Sequence, residues 1–507
     1  MHLASPTMAT ATWALVAVYC AVTIILVVRG ALKTRSMSDY AVGTAGFSPA
    51  FVGLSLAAAM TSAATFIINP GFIALYGVSA MLSFGIVFPA GALISLVILS
   101  KRFRTHGTSV KALTMAQWIG TRYKSPGYSL LFAFLSLLLI TFIVLICVGL
   151  TTVLSHSLNI SETWTLVGIV VFVFGYMMFG GANSMVYTNT VQALIMLAVA
   201  VILLGSGYPH FRDGVRGFLD KLAAIDPGLV HTTNAKSFLF RDYFEIVLTQ
   251  IIVGVAVICQ PHIITKSLLL KDDRSVNRYL IVGVTAQAIF FLVVFVGFYA
   301  RLTFPTLTAN GIPLRMDEIV PAYVVSEFPV YVGLIVVLGL ISAGISTIEG
   351  LIQSISTTIT ADIIRPLFGR WLPSEDGRRA RTELRINRFA VIVMGAVAIW
   401  LSLDQIAHPK LSVGIFAQNG VYAYFAAAFV PLVFGMFLKH VPSVAAIGAT
   451  LTAIVVHFLM YFLKVPIPGT AATGENPSVA AATAIVASVI VGMILYALFR
   501  QRSVTQE

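Results

Sequence analysis

The sequence predicts an all-α polytopic membrane protein of about 13 transmembrane helices, built as two inverted five-helix halves with peripheral helices. Three observations carry that expectation. The 507 residues are 58% hydrophobic and only 10% charged, with mean hydropathy +0.94, a balance foreign to soluble globular domains. Apolar runs long enough to cross a bilayer, which takes about 20 residues, follow one another along the whole chain. Two of these runs, five spans apart, carry a proline among polar residues, at Asn69-Pro70-Gly71 and at Gln260-Pro261-His262. Paired broken helices at matching positions of two halves point to a transporter with inverted repeats.

The spans run roughly 9–29, 49–77, 79–100, 127–153, 162–181, 185–207, 242–264, 278–302, 329–364, 387–404, 411–438, 441–464 and 477–499. The first lacks a basic n-region and is followed by many more, so it reads as a retained helix rather than a cleaved signal. The expected organisation is a single transmembrane transporter domain, 1–507. Within it 9–29 is a peripheral helix, 49–207 the first repeat, 242–438 the second, and 441–499 two C-terminal peripheral helices.

Charge follows topology. The chain has 32 Lys and Arg against 20 Asp and Glu, a net charge of +12. Lys and Arg concentrate on the cytoplasmic side of membrane proteins. With the N-terminus outside and the C-terminus cytoplasmic, inner segments hold 23 of the 32, among them Lys111, Lys266, Lys271 and the arginine-rich 365–388 loop. The excess therefore reads as orientation in the inner or plasma membrane, not as a nucleic-acid surface, and the bilayer is the expected partner. Cys20, Cys147 and Cys259 lie in apolar runs and form neither a metal spacing nor a disulfide framework. No Walker loop, Gly-x-Ser-x-Gly or His-Glu-x-x-His occurs. The sequence thus predicts no enzyme and no cofactor, and uphill movement of a small-molecule solute must draw on an ion gradient.

In the second span, Pro70 has no N–H to bond the Phe66 carbonyl four residues back. This predicts a helix break at Asn69-Pro70-Gly71. A freed carbonyl at that depth must be buried in protein or line a wet cavity. In the seventh span Pro261 does the same to Val257, with Gln260 and His262 at the same level. The ninth span, Val330–Pro366, is rich in hydroxyls: Ala343, Ser346, Thr347, Gly350, Ser354, Thr357 and Thr358 share one helical face. A lone Ser or Thr there is ordinarily bonded to its own helix. Ser346 and Thr347 sit side by side, next to a small residue and facing a broken helix, and oxygens so grouped suit a hard cation such as sodium. The carbonyls of Ala63, Phe66 and Ala343 with the hydroxyls of Ser346 and Thr347 would form a five-oxygen cage.

These stretches resemble the sodium:solute symporter family over nearly the whole chain. Gly180–Leu197 (GGANSMVYTNTVQALIML) is similar to its Gly-Gly…Thr-Asp-x-x-Gln signature. SAATFIINPG is similar to its first core helix, ISAGISTIEGLIQSISTTITADI to its sodium helix, and Pro431–Ala449 to its Pro…Gly-x-Phe-x-Lys…Gly-Ala stretch. The resemblance implies a LeuT-type fold, sodium as the coupling ion, and sodium at Ala63, Phe66, Ala343, Ser346 and Thr347. It also implies a solute pocket on spans two, seven and eleven, where Thr65, Asn69, Gln260 and Gln418 are the candidate contacts. QPHIITKSLLLKDDRSVNRYLIVG and AAIDPGLV look most like the pantothenate and monocarboxylate branch. Two residues depart from the pattern: Ile68 replaces a common Gly, and Asn189 stands where many members carry Asp. Asn189 is the candidate second-cation position. Because it keeps an oxygen and loses a charge, the expected coupling is one sodium per solute.

Glu349 points about 60° or more off the Ser346 face and is expected to be a structural partner. Gln192, Gln250, Gln287, Gln353 and Asn419 are candidate polar contacts between helices, and His457 is expected to be structural. The function expected is sodium-coupled uptake of a small organic solute, a carboxylate by the branch resemblance, by alternating access. The competing classes are symport of a neutral solute such as an amino acid or sugar, a transport-fold sensor without net flux, and a passive channel.

Overall fold

The computed structural model describes residues 6–43, 46–110, 112–270, 272, 274–309, 311–408 and 413–504. Lys111 and Lys271 lie outside the described residues. Ten helices among them are long and apolar enough to cross a membrane, and two bent pairs bring the number to twelve. One helical run, Glu162–Ser206, has 45 residues and would measure about 68 Å if straight, more than twice the hydrocarbon thickness of about 30 Å. It is divided at Gly181, whose φ of 56° and ψ of −157° are not helical. Counted on either side of Gly181 it supplies the fifth and sixth spans, and the thirteen expected from sequence are accounted for.

The two bent pairs open the two halves. In the second span Pro49–Met60 and Ala64–Tyr76 meet at 57°; in the seventh Phe244–Cys259 and Pro261–Leu269 meet at 63°. The seventh breaks where the sequence says. Its helix tightens into a 3-10 turn at Val257–Cys259, Gln260 is extended, and Pro261 starts the next helix, a position where its missing N–H is not needed. Gln260 Nε2 donates to the Val257 carbonyl at 3.1 Å, which satisfies that group.

The second span does not break at Pro70. Its helix ends at Met60, Thr61 leaves helical geometry (φ −100°, ψ 101°), and the chain re-enters a helix after Ser62. It then passes through a π turn, Ala64–Ile68, where the Asn69 N–H bonds the Ala64 carbonyl, and continues through Pro70 to Tyr76. Pro70 lies in the first turn of Asn69–Tyr76, so the wide turn before it absorbs the missing donor.

The halves are joined by two close crossings. A Cβ on Gly53 of the second span would lie 2.6 Å from the Tyr279 carbonyl oxygen of the eighth. A Cβ on Gly254 of the seventh would lie 2.5 Å from the Phe88 carbonyl oxygen of the third. Each broken helix therefore packs, backbone on backbone, against the helix that follows the other broken helix. The first span and the last two have smaller buried shares than the ninth and eleventh, and the tenth is no more buried than the twelfth. The Tyr208–Arg241 loop is partly helical, at Gly214–Ile225.

Candidate functional site

The C-terminal end of Pro49–Met60 meets the middle of the ninth span. The last carbonyls of any helix have no intrahelical partner, and this end of the helix dipole favours positive charge. Ser346 Oγ lies 2.9 Å from the Ala58 carbonyl oxygen and 3.1 Å from that of Ala343. Thr347 Oγ1 lies 3.1 Å from the Ala59 oxygen, 3.3 Å from that of Thr61 and 3.4 Å from that of Ala343. Every one of these residues is fully shielded, with Ser346, Thr347 and Ala343 at 0% exposure. Two hydroxyl protons thus face four carbonyls, and each proton serves one acceptor at a time. The group is an excess of oxygen lone pairs in a dry setting, which a cation complements.

The oxygens gathered here differ from the set expected from sequence. Ser346, Thr347 and Ala343 come together as foreseen, but their partners across the break are Ala58, Ala59 and Thr61. Ala63 and Phe66 lie beyond it: Ala63 packs by Gly149, and the Phe66 ring sits edge-on to Phe290 at 5.9 Å. The reason is the break itself, which falls at Thr61–Ser62 rather than at Pro70.

Ser62, on the other side of the same break, lines a cavity of about 110 Å³. One water needs on the order of 10–15 Å³ by this measure, so a small organic solute fits. Thr65, Asn69, Gln260 and Gln418 all line it, as does His262. The sequence reading had not placed Ser62, His262 or Tyr422 there; the signal available was the His262 next to a break. Gln260 Oε1 and both His262 ring nitrogens are buried without a hydrogen-bond partner, a costly state unless a ligand or water meets them. Among the described residues, no Asp, Glu, Lys or Arg lines the cavity.

Asn189 belongs to neither group. It is buried beside Glu349, Gln192 and Lys266. Lys266 is a correction too: counted from sequence among inner-loop charges, it is 3% exposed and sits in the protein interior. The remaining polar residues tie helices together as expected: Gln192 to Tyr19 at 2.8 Å, Gln250 to Ser478 at 2.9 Å, Gln287 to Thr61 at 3.0 Å, Gln353 to the Ala41 carbonyl, and Asn419 to His457 at 3.0 Å.

Comparison with known proteins agrees with this architecture. A sodium/pantothenate symporter of Escherichia coli is 26% identical over 452 residues, covering 86% of this chain and 87% of its own. A monocarboxylic acid transporter of Corynebacterium glutamicum is 22% identical, covering 89% and 83%. The solved structure of a Na+-coupled sialic acid symporter in a substrate-bound outward-open state superposes with a TM-score of 0.75 at 17% identity, over 96% of this chain and 98% of that one; the fold is the LeuT-type fold. The model of the sodium:solute symporter family matches residues 40–455. With broken helices opening both halves and that match over most of its length, the chain belongs to the sodium:solute symporter family.

Proposed function

We propose that this chain takes up a small carboxylate together with sodium by alternating access, with sodium held by Ala58, Thr61 and Ala343 carbonyls and the Ser346 and Thr347 hydroxyls. The observation that carries this reading is the break at Thr61–Ser62. Thr61 turns its carbonyl to Thr347, and Ser62 borders the cavity. One two-residue interruption would then report the cation to the solute and the solute to the cation.

A carboxylate in this cavity would find its counter-charge in the sodium ion, with Asn69, Gln418 and His262 as neutral partners. The relatives named for pantothenate and monocarboxylic acids support that solute class. The uncharged lining favours a second reading, a neutral solute such as an amino acid. The repeats 49–207 and 242–438 would be the units that rock, with the N-terminus outside and the C-terminus cytoplasmic.

Purified protein in proteoliposomes tests both readings, with labelled pantothenate, pyruvate and proline as probes and an imposed sodium gradient. Sodium-dependent accumulation of a carboxylate is expected. One sodium with a monoanion moves no net charge, so an inside-negative potential should add nothing. For a neutral solute, one charge falling through 100 mV supplies about 2.3 kcal/mol, roughly fiftyfold accumulation. Mere equilibration would identify a channel, and binding without flux a sensor.

A further inference from the structure

The cluster around Asn189 has no part in the cavity or in the oxygen set at the break, yet it places a carboxyl group and an amine in the membrane interior. Lys266 stands in the second half of the broken seventh span, Pro261–Leu269. Its ammonium donates to Ser55 Oγ of the second span at 2.8 Å and to the Asn189 amide oxygen at 3.3 Å. The Asn189 amide nitrogen donates in turn to Glu349 Oε2 at 2.7 Å and to Gln192 Oε1 at 3.0 Å. Glu349, fully buried on the ninth span, also accepts from Thr188 Oγ1 at 2.6 Å, from Gln192 Nε2 at 3.4 Å and from the Tyr176 hydroxyl. The amide is held in this sense because only so are all its neighbours satisfied.

A lone carboxylate or ammonium at this depth costs several kcal/mol. Ionised together, each would be the other's counter-charge, with a single amide between them. The oxygens that receive the ammonium, a hydroxyl and an amide carbonyl, are also the hard ligands a sodium ion takes. The positive charge that balances Glu349 is therefore attached to the chain.

We propose that Lys266 is a tethered cation: its ammonium fills the place at which a mobile second cation would neutralise Glu349, so the carrier binds one sodium ion and no more. The inference rests on the sodium reading above and adds its stoichiometry. Lys266 is a positioning residue for the coupling ion count: the second and sixth helices receive its ammonium directly, and the ninth is reached through Asn189.

The test is equilibrium binding of radioactive sodium to the purified full-length protein with no solute present. Wild type should bind one ion per chain. Lys266→Met keeps the aliphatic stem, removes the charge and leaves Glu349 uncompensated, so it should bind two. Lys266→Met combined with Glu349→Gln should return to one. Two ions on the wild type, or one on Lys266→Met, would overturn the tether while leaving the site at the break intact. No sodium on any form overturns that site and the tether with it. Should Lys266→Met fail to fold, the wild-type count and the neutral double variant decide, since two ions on either contradicts the proposal.

Discussion

Thr347 carries one hydroxyl proton and faces three carbonyls within 3.4 Å. Its oxygen is worth more to a cation than its proton is to any one of them. Interactions with a charged group contribute about 1.5–3 kcal/mol, or roughly ten- to hundredfold in affinity. Thr347→Ala and Ser346→Ala should each weaken sodium binding by that order, while Thr347→Ser retains it; sodium titrations monitored by thermal shift check this, and wild-type sodium dependence in both alanine variants would remove them from the site. The hydroxyl pair was legible in the sequence because two adjacent small polar residues in an apolar span have few other uses. Lys266 was not: a lysine that follows an apolar run reads as a loop charge, and nothing local distinguishes a loop from the second half of a broken helix. Glu349 was visible as an ionisable residue, but its counter-charge sits more than eighty residues away and only folding brings them together.

At the scale of elements, Pro261 and Pro70 teach opposite lessons. Pro261 follows Gln260, whose side chain caps the carbonyl the proline orphans, so break and proline coincide. Pro70 follows a π turn and is absorbed, whereas the real interruption lies in Ala-Met-Thr-Ser-Ala, a stretch with neither Pro nor Gly to announce it. That break is imposed from outside, by the hydroxyls of the ninth span and by Thr61 Oγ1 bonding Gln287. Gly181 is the clearer marker. Its φ of 56° with ψ of −157° is a region used almost only by glycine, and other residues pay about 1–3 kcal/mol there. A Cβ would also stand 2.7 Å from the Tyr40 carbonyl oxygen. Gly181→Ala should lower the apparent Tm markedly. At Gly180 the obstructions are Ser184 side-chain atoms, Oγ at 2.7 Å and Cβ at 2.9 Å, but the backbone is not in the positive-φ region. Gly180→Ala should cost less, and equal Tm values for the two variants would contradict the division of the helix at Gly181.

For the whole molecule, an odd number of spans would place the termini on opposite faces. By the distribution of Lys and Arg, the orientation proposed above would put the 365–388 loop on the cytoplasmic side. The helix Asp376–Ala407 begins in that loop, and Arg378 is largely exposed and pairs with the exposed Glu375 at 2.9 Å, an interaction of little strength. Trypsin should therefore cut near Arg378 in inside-out vesicles and spare it in right-side-out ones; the reverse pattern would invert the orientation.

Helices separated by side chains slide easily, because rotamers take up the shift. Where Gly53 meets Tyr279 and Gly254 meets Phe88, no side chain intervenes, and sliding would grind peptide against peptide. In kinematic terms these contacts are welds rather than bearings. Four helices become two couples, each pairing a broken helix from one half of the chain with a continuous one from the other. Whatever turned the broken member would carry its mate along, so a motion that opened the cavity first to one side and then to the other would have two moving parts in its bundle, not four.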